Sequence, residues 1–260
     1  MAYHRSPRIV TDGLVFYIDA QNTKSYEQDL SKIYNIGRKE KQSNLDYIDN
    51  LINSQQPAPP AQGDGISISN DAGILSFEHE GTDEFLKSVG SPVEVLGPDL
   101  TYSVWINHTR GDGEGAAIFC AGPGGTVHRS WLYTYTNNIS FRVTDGVNPV
   151  GTSFTGYTAT AYPKEWNNLA ATCSLNPSGT DSTLRIYVNG NLVKENTSAA
   201  IVAQRNSSIS NYNEPEIGRG ADAIGQRFQG KIASAMMYNR GISEEEIKQN
   251  YNAIKTRFKH

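Results

Sequence analysis

Residues 183–195, TLRIYVNGNLVKE, decide how the rest of the chain is read. Leu184, Ile186 and Val188 alternate with Arg185 and Tyr187, the period of a strand with one buried face. Asn189-Gly190 follows, the pair that best tolerates the positive φ angles of a two-residue type I′ turn. Asn191 to Glu195 then returns as the partner strand. The expected register sets Val188 against Asn191 and Ile186 against Val193 on one face, with Tyr187 and Leu192 on the other.

Upstream of this hairpin stand WNNLAATCSL (166–175) and the loop NPSGTDS; downstream stand EIGRG (216–220), FQGKIASAMMYNRGIS (228–243) and a helix. That order resembles the laminin-G-like, concanavalin A-like jelly-roll domains, in particular those of structural proteins in tailed-phage particles. DGLVFYIDAQNTKSY (12–26) and ILSFEHEGTDEFL (74–86) fit the same pattern. The resemblance implies an all-β, antiparallel jelly-roll β-sandwich with a short C-terminal α-helix. The resemblance covers about 12–26, 74–120 and 166–258, and the expected sandwich domain spans 12–260, with an arm at 1–11 and an atypical insertion at about 27–65. By the same resemblance, the protein is a non-enzymatic virion component: a capsid decoration, a fibre or a tail attachment. It is then assembled in the host cytoplasm, self-associates, and meets other virion proteins, through 1–11, and a host polysaccharide. A free carbohydrate-binding lectin or adhesin is the alternative, and a glycoside hydrolase a distant third. Fold alone does not choose among them.

Composition narrows the classes. Twenty-four Gly and 14 Tyr in 260 residues, with 19% charged residues, suit an all-β chain with many turns. A formal net charge of −4 lacks the basic footprint of a nucleic-acid binder. No apolar run approaches the ~18 residues of a membrane span, and MAYHRSPRIV has neither the apolar core nor the cleavage site of a signal peptide. Cys120 and Cys173 sit in apolar, strand-like runs, which predicts buried thiols outside any disulfide or zinc site.

Along the chain, residues 1–11 read either as a frayed terminus or as an arm that docks on a neighbouring subunit. Leu14 to Ile18 form a first strand. In the insertion, Leu45, Ile48, Leu51 and Ile52 either line a short helix or form a strand on the sandwich rim, and the prolines at 57–60 mark a surface loop. Ile66 to Ser88 reads as two strands with a turn at Gly81-Thr82-Asp83. Leu100 to Asn107 alternates cleanly, and Ala116 to Ala121 is its expected partner across RGDGEG. The RGD triplet there carries no adhesive meaning, and AGPGG lacks the GK[ST] of a phosphate loop.

Ser130 to Thr136 and Ile139 to Thr144 flank Asn137-Asn138, an expected two-residue turn. Leu132 and Thr134 then share a core face with Phe141 and Val143. The opposite face gathers Trp131, Tyr133, Tyr135, Ser140, Arg142 and Thr144. Rings stack on the C–H face of a pyranose while an Arg and hydroxyls take its oxygens, so Trp131, Tyr133, Tyr135 and Arg142 are the candidate glycan-binding residues. The structural alternative is that a sheet, a loop or another subunit covers these rings.

At the C-terminus, Ser243 and Glu246 form a capping box, with Ile242 and Ile247 as the hydrophobic staple. Three glutamates open the helix and Lys255, Arg257 and Lys259 close it, as the macrodipole favours. Ile247, Tyr251, Ile254 and Phe258 form its packing stripe.

Catalytic signatures are missing. Glycoside hydrolysis needs two carboxylates across the scissile bond, usually spaced by two on a strand as in E-x-D-x-x-E, and no such triplet occurs. The five histidines are scattered, no G-x-S-x-G exists, and the sialidase S-x-D-x-G-x-T-W box is absent. No cofactor is expected other than a calcium ion, which laminin-G-like relatives hold at the sandwich rim. The residues available for it are Asp83, Glu84 and Asp112, with solvated turn acids as the alternative reading.

Overall fold

The computed structural model describes residues 7–26, 32–33, 36, 51–55, 66–80, 84–88, 99–108, 115–121, 130–135, 137–144, 149–158, 162, 166–201, 216–219 and 227–258. They form two antiparallel sheets packed face to face. The first holds β1 (Leu14–Asp19), β4 (Ser67–Asp71), β5 (Ile74–Glu80), β7 (Leu100–His108), β12 (Asn167–Leu175), β13 (Ser182–Val188), β14 (Asn191–Ser198) and β16 (Gln229–Tyr238). Its order is β14-β13-β12-β7-β16-β5-β4, with β1 also on β16. The second holds β2 (Lys32–Ile33), β3 (Leu51–Gln55), β6 (Glu84–Ser88), β8 (Gly115–Ala121), β9 (Ser130–Tyr135), β10 (Asn138–Thr144), β11 (Pro149–Phe154) and β15 (Glu216–Ile217). Its order is β11-β10-β9-β8-β15-β6-β3-β2. The sandwich with a C-terminal helix is the expected architecture.

The inner faces meet in one apolar cluster that includes Phe16, Phe77, Tyr102, Phe119, Phe141 and Ile186. Tyr102 stacks on Phe119 at 4.9 Å and meets Phe141 edge-on at 6.1 Å. A second cluster lies on the outer face of the first sheet, where Trp105, Tyr187, Met236 and Tyr238 pack under the C-terminal helix, Glu244–Ile254. Both cysteines are buried and form no disulfide.

The 183–195 hairpin forms with Asn189 at φ 51° and Gly190 at φ 77°. Val188 faces Asn191 and Tyr187 faces Leu192 as expected, but Ile186 faces Lys194 rather than Val193. A bulge between Ile186 and Tyr187 leaves Val193 as the extra residue, still packed against the inner core; such bulges add local twist without reversing the faces.

Other expectations give way to non-local pairing. Ala116 to Ala121 does not pair with β7; β8 joins β9 and β15 in the other sheet. Ile66 to Ser88 holds three strands, and its tight turn is Ala72-Gly73 (φ 51° and 89°) between β4 and β5. β5 and β6 lie in different sheets, and 81–83 falls outside the described residues. Leu51 and Ile52 belong to the rim strand, paired with Ser88 and Lys87, so the helical reading of that stretch is corrected there. Leu45, Ile48 and the prolines at 57–60 fall outside the described residues.

Of the segment expected as an arm, residues 1–6 are outside the description, and 7–11 lie against this chain's own helix. Val10 N–H donates to Asn250 Oδ1 (2.7 Å), Asn250 Nδ2 donates to the Tyr238 hydroxyl (2.9 Å), and that hydroxyl donates to the Val10 carbonyl (3.0 Å). Gln249 Nε2 donates to the Arg8 carbonyl at 2.7 Å.

The helix is capped as its sequence demands. Ser243 Oγ accepts from Glu246 N–H, and the Glu246 carboxylate accepts from Ser243 N–H at 2.8 Å. The basic residues expected to close it lie beyond it: its last turn, ending at Ile254, has none, and Arg257, in the 3-10 turn Lys255–Phe258, donates through Nη1 to both oxygens of buried Asp19, at 2.8 and 2.7 Å.

Candidate functional site

The 130–144 hairpin builds an outward face on the second sheet. Leu132, Ile139, Phe141 and Val143 enter the inter-sheet core. By the strand period, Trp131, Tyr133, Tyr135, Ser140 and Arg142 point away from it. The register differs from the expected one. Tyr135 faces Asn138, Tyr133 faces Ser140 and Trp131 faces Arg142, so the turn falls before Asn138 and is not Asn137-Asn138. Asn138 is drawn into the strand, and the Asn137 carbonyl accepts from Tyr157 N–H at 3.1 Å. Neither described Asn has positive φ. A shift of two residues preserves the faces, so the rings stay together.

Arg142 comes within reach of two of the three rings. The Arg142 guanidinium carbon lies 5.3 Å from the Tyr133 ring centroid and 6.0 Å from that of Trp131. Trp131 and Tyr133 are half-buried, and Tyr135 is 50% exposed. Across β11, Arg142 faces Gly151, where a Cβ would fall 2.5 Å from Arg142 Cγ. Gly151 thus makes room for the stem of Arg142, a role its sequence context did not signal. On the next rung the Ser140 and Ser153 hydroxyls share a 2.7 Å hydrogen bond. On the other flank, small Ala117 and Cys120 stand opposite Tyr133 and Trp131.

Charge on this face is informative. Among the described residues no carboxylate pairs with Arg142, and β9, β10 and β11 contain no Asp or Glu. Two strands away, Glu216 faces Cys120. Its carboxylate takes Arg219 Nη2 at 2.9 Å, and the Arg219 guanidinium lies 3.5 Å from the Phe85 ring centroid. In that pair the carboxylate is buried and the guanidinium partly so.

The side chains considered for calcium lie outside the described residues. Asp83 and Asp112 fall outside the described residues; Glu84 opens β6, and its side chain is likewise outside. Among the described residues no group of three or more His, Cys, Asp or Glu is placed to hold a metal ion, and no helix is long and apolar enough to cross a membrane.

The sandwich has known counterparts. The family model Laminin_G_3, of the concanavalin A-like lectin/glucanases superfamily, matches residues 82–248, more than half of the chain. The chain belongs to this family. A search of curated protein sequences finds no match. Among solved structures, this Laminin_G_3 chain is similar to the receptor-binding domain of the botulinum neurotoxin C/D mosaic serotype (12% identity, TM-score 0.59, 94% of this chain and 52% of that one). It is also similar to the binding domain of Paraclostridial Mosquitocidal Protein 1 (15%, 0.60, 93% and 52%). A third is the botulinum neurotoxin serotype D ligand-binding domain solved with N-acetylneuraminic acid (13%, 0.59, 94% and 52%). At these identities the likeness establishes a shared fold. The Laminin_G_3 chain spans about half the length of the solved structures it matches.

Proposed function

We propose that this Laminin_G_3 chain is a non-catalytic carbohydrate-binding domain whose ligand face is Trp131, Tyr133, Tyr135 and Arg142. The observation that carries this reading is the joint placement of three rings and an Arg without a carboxylate partner on one outward sheet face. Rings held on strands lose little freedom on binding, which suits a flat, weakly held saccharide chain. The guanidinium and the exposed Ser153 hydroxyl, which shares a hydrogen bond with buried Ser140, supply polar contacts beside them. Carboxylates are missing from these strands, which supports binding over hydrolysis, since hydrolysis needs two of them about 5–10 Å apart. Solved relatives of the same fold include a toxin domain in complex with a sialic acid, which adds plausibility to a saccharide ligand. The test is a glycan array probed with wild type and Trp131→Ala. Binding that Trp131→Ala leaves unchanged would sink this face as the site, and so would absence of binding to any glycan.

The wider setting we propose is a tailed-phage particle, assembled in the host cytoplasm, in which the domain self-associates, meets other virion proteins and touches the host polysaccharide. Its support is the sequence order from Trp166 to Ile247 alone. Mass spectrometry of purified particles decides it, and absence of the chain from them would leave a free lectin or adhesin.

A further inference from the structure

Strands β9, β10 and β11 carry a single charged residue, Arg142, in a chain whose formal net charge is −4. The strands hold this side chain without using its donors. Its guanidinium carbon lies 5.3 and 6.0 Å from the Tyr133 and Trp131 ring centroids, and the bare Cα of Gly151 leaves room for its stem. Among the described residues it makes no hydrogen bond and no ion pair. Arg219 on the same sheet is the contrast, since its Nε and Nη2 donate to the Glu216 carboxylate at 3.1 and 2.9 Å.

The polar groups around Arg142 are one-sided. A guanidinium offers five N–H donors and accepts nothing. Each hydroxyl of a neutral sugar donates as well as accepts, so its proton needs an acceptor. These strands supply no carboxylate for it. The Gly151 carbonyl is taken by Asn196 Nδ2 at 3.0 Å, and the Ser153 hydroxyl is shared with Ser140 at 2.7 Å. A carboxylate has no proton to place and accepts two parallel bonds from the guanidinium fork. Half-buried rings beside that fork keep water back, which strengthens the attraction.

We propose that the saccharide taken by this face is acidic, with a sugar carboxylate on the Arg142 guanidinium and sugar rings against Trp131 and Tyr133. The inference rests on the saccharide reading of the face and adds the charge of its ligand. The test is binding of the full chain to oligogalacturonate, oligoalginate and oligosialic acid, each beside its methyl ester, which keeps the rings and removes the charge. At least one acid should bind roughly tenfold or more tighter than its ester. Arg142→Gln should bring that ratio close to one while ester binding, which rests on the rings, persists and shows the variant to be folded. Trp131→Ala should weaken acid and ester together. Equal binding of acid and ester, both lost in Trp131→Ala, overturns the acidic ligand and leaves the saccharide face standing. A preference for the acid that survives Arg142→Gln also overturns this inference. Acid binding indifferent to Trp131→Ala, or no binding of any probe by wild type, overturns the face and this inference with it.

Discussion

Arg142 and Arg219 both lie against aromatic rings of the same sheet, yet only Arg219 has a carboxylate beside it. The difference sets opposite expectations for their loss. Arg219→Gln takes from the buried Glu216 carboxylate a guanidinium that binds both of its oxygens, which should cost about 3 kcal/mol. Arg142→Gln removes an exposed-face cation–π contact of about 0.5–1 kcal/mol and should fall near that value. Urea melts of the two variants check the contrast, and equal losses would mean that Arg142 is a packing residue. A third arginine gives a pH dependence. The Arg240 guanidinium donates to both Glu246 oxygens, at 2.8 and 2.6 Å, and with the Ser243 N–H it holds that carboxyl below the ordinary glutamate range. A lowered folded pKa adds stability above the unfolded value, and that increment fades as pH falls through the folded one. Wild type should therefore lose more stability than Glu246→Gln between pH 6 and the acid side of about 4.3, measured as melting temperature against pH. The grouping of Trp131, Tyr133 and Arg142 was legible because strand parity depends only on alternation. The role of Gly151 was not, since it depends on which strand lies beside Arg142.

The C-terminal helix shows how far local chemistry reaches. Its cap, its staple and most of its stripe are written in consecutive residues, so Ser243, Glu246, Ile242 and Ile247 could be read without a fold. Asn250 could not: a polar residue within a helix reads as solvated, and its burial follows from the Val10 backbone and the Tyr238 hydroxyl, both distant in sequence. Ser243→Ala should cost about 1 kcal/mol by unpairing a first-turn N–H. Phe258→Ala should cost more, about 2–3 kcal/mol, because a half-buried ring leaves both Trp105 and Trp166. Thermal melts rank the two, and the reverse order would mean that the last turn contributes little packing. Hairpins were legible in the same measure. Asn189-Gly190 sits where the turn needs positive φ, whereas Asn137-Asn138 has the right residues one step late. The bond from Tyr157 N–H to the Asn137 carbonyl belongs to a tertiary contact that the dipeptide does not encode.

At the scale of the whole molecule, strand order was the least legible feature. Period and turns place strands, but Ala116 to Ala121 takes the next strand in sequence, β9, on one side and β15, about a hundred positions on, on the other. The two outer faces are also unlike. The first sheet's outer face is covered by the helix and residues 7–11, while the second sheet presents Tyr135, Tyr133 and Trp131 on the outer face of β9. Stability and saccharide binding should therefore separate by face. Trp131→Ala should weaken glycan binding more than about tenfold, while costing no more than about 1 kcal/mol of stability, because its ring is only half-buried. Phe258→Ala should do the opposite, lowering the melting temperature and leaving glycan affinity intact wherever the chain remains folded. Paired melts and binding isotherms on both variants measure the separation. If Trp131→Ala loses several kcal/mol, the rings of that face are packing elements. If Phe258→Ala loses glycan affinity while folded, the saccharide site lies under the helix and not on the 130–144 hairpin.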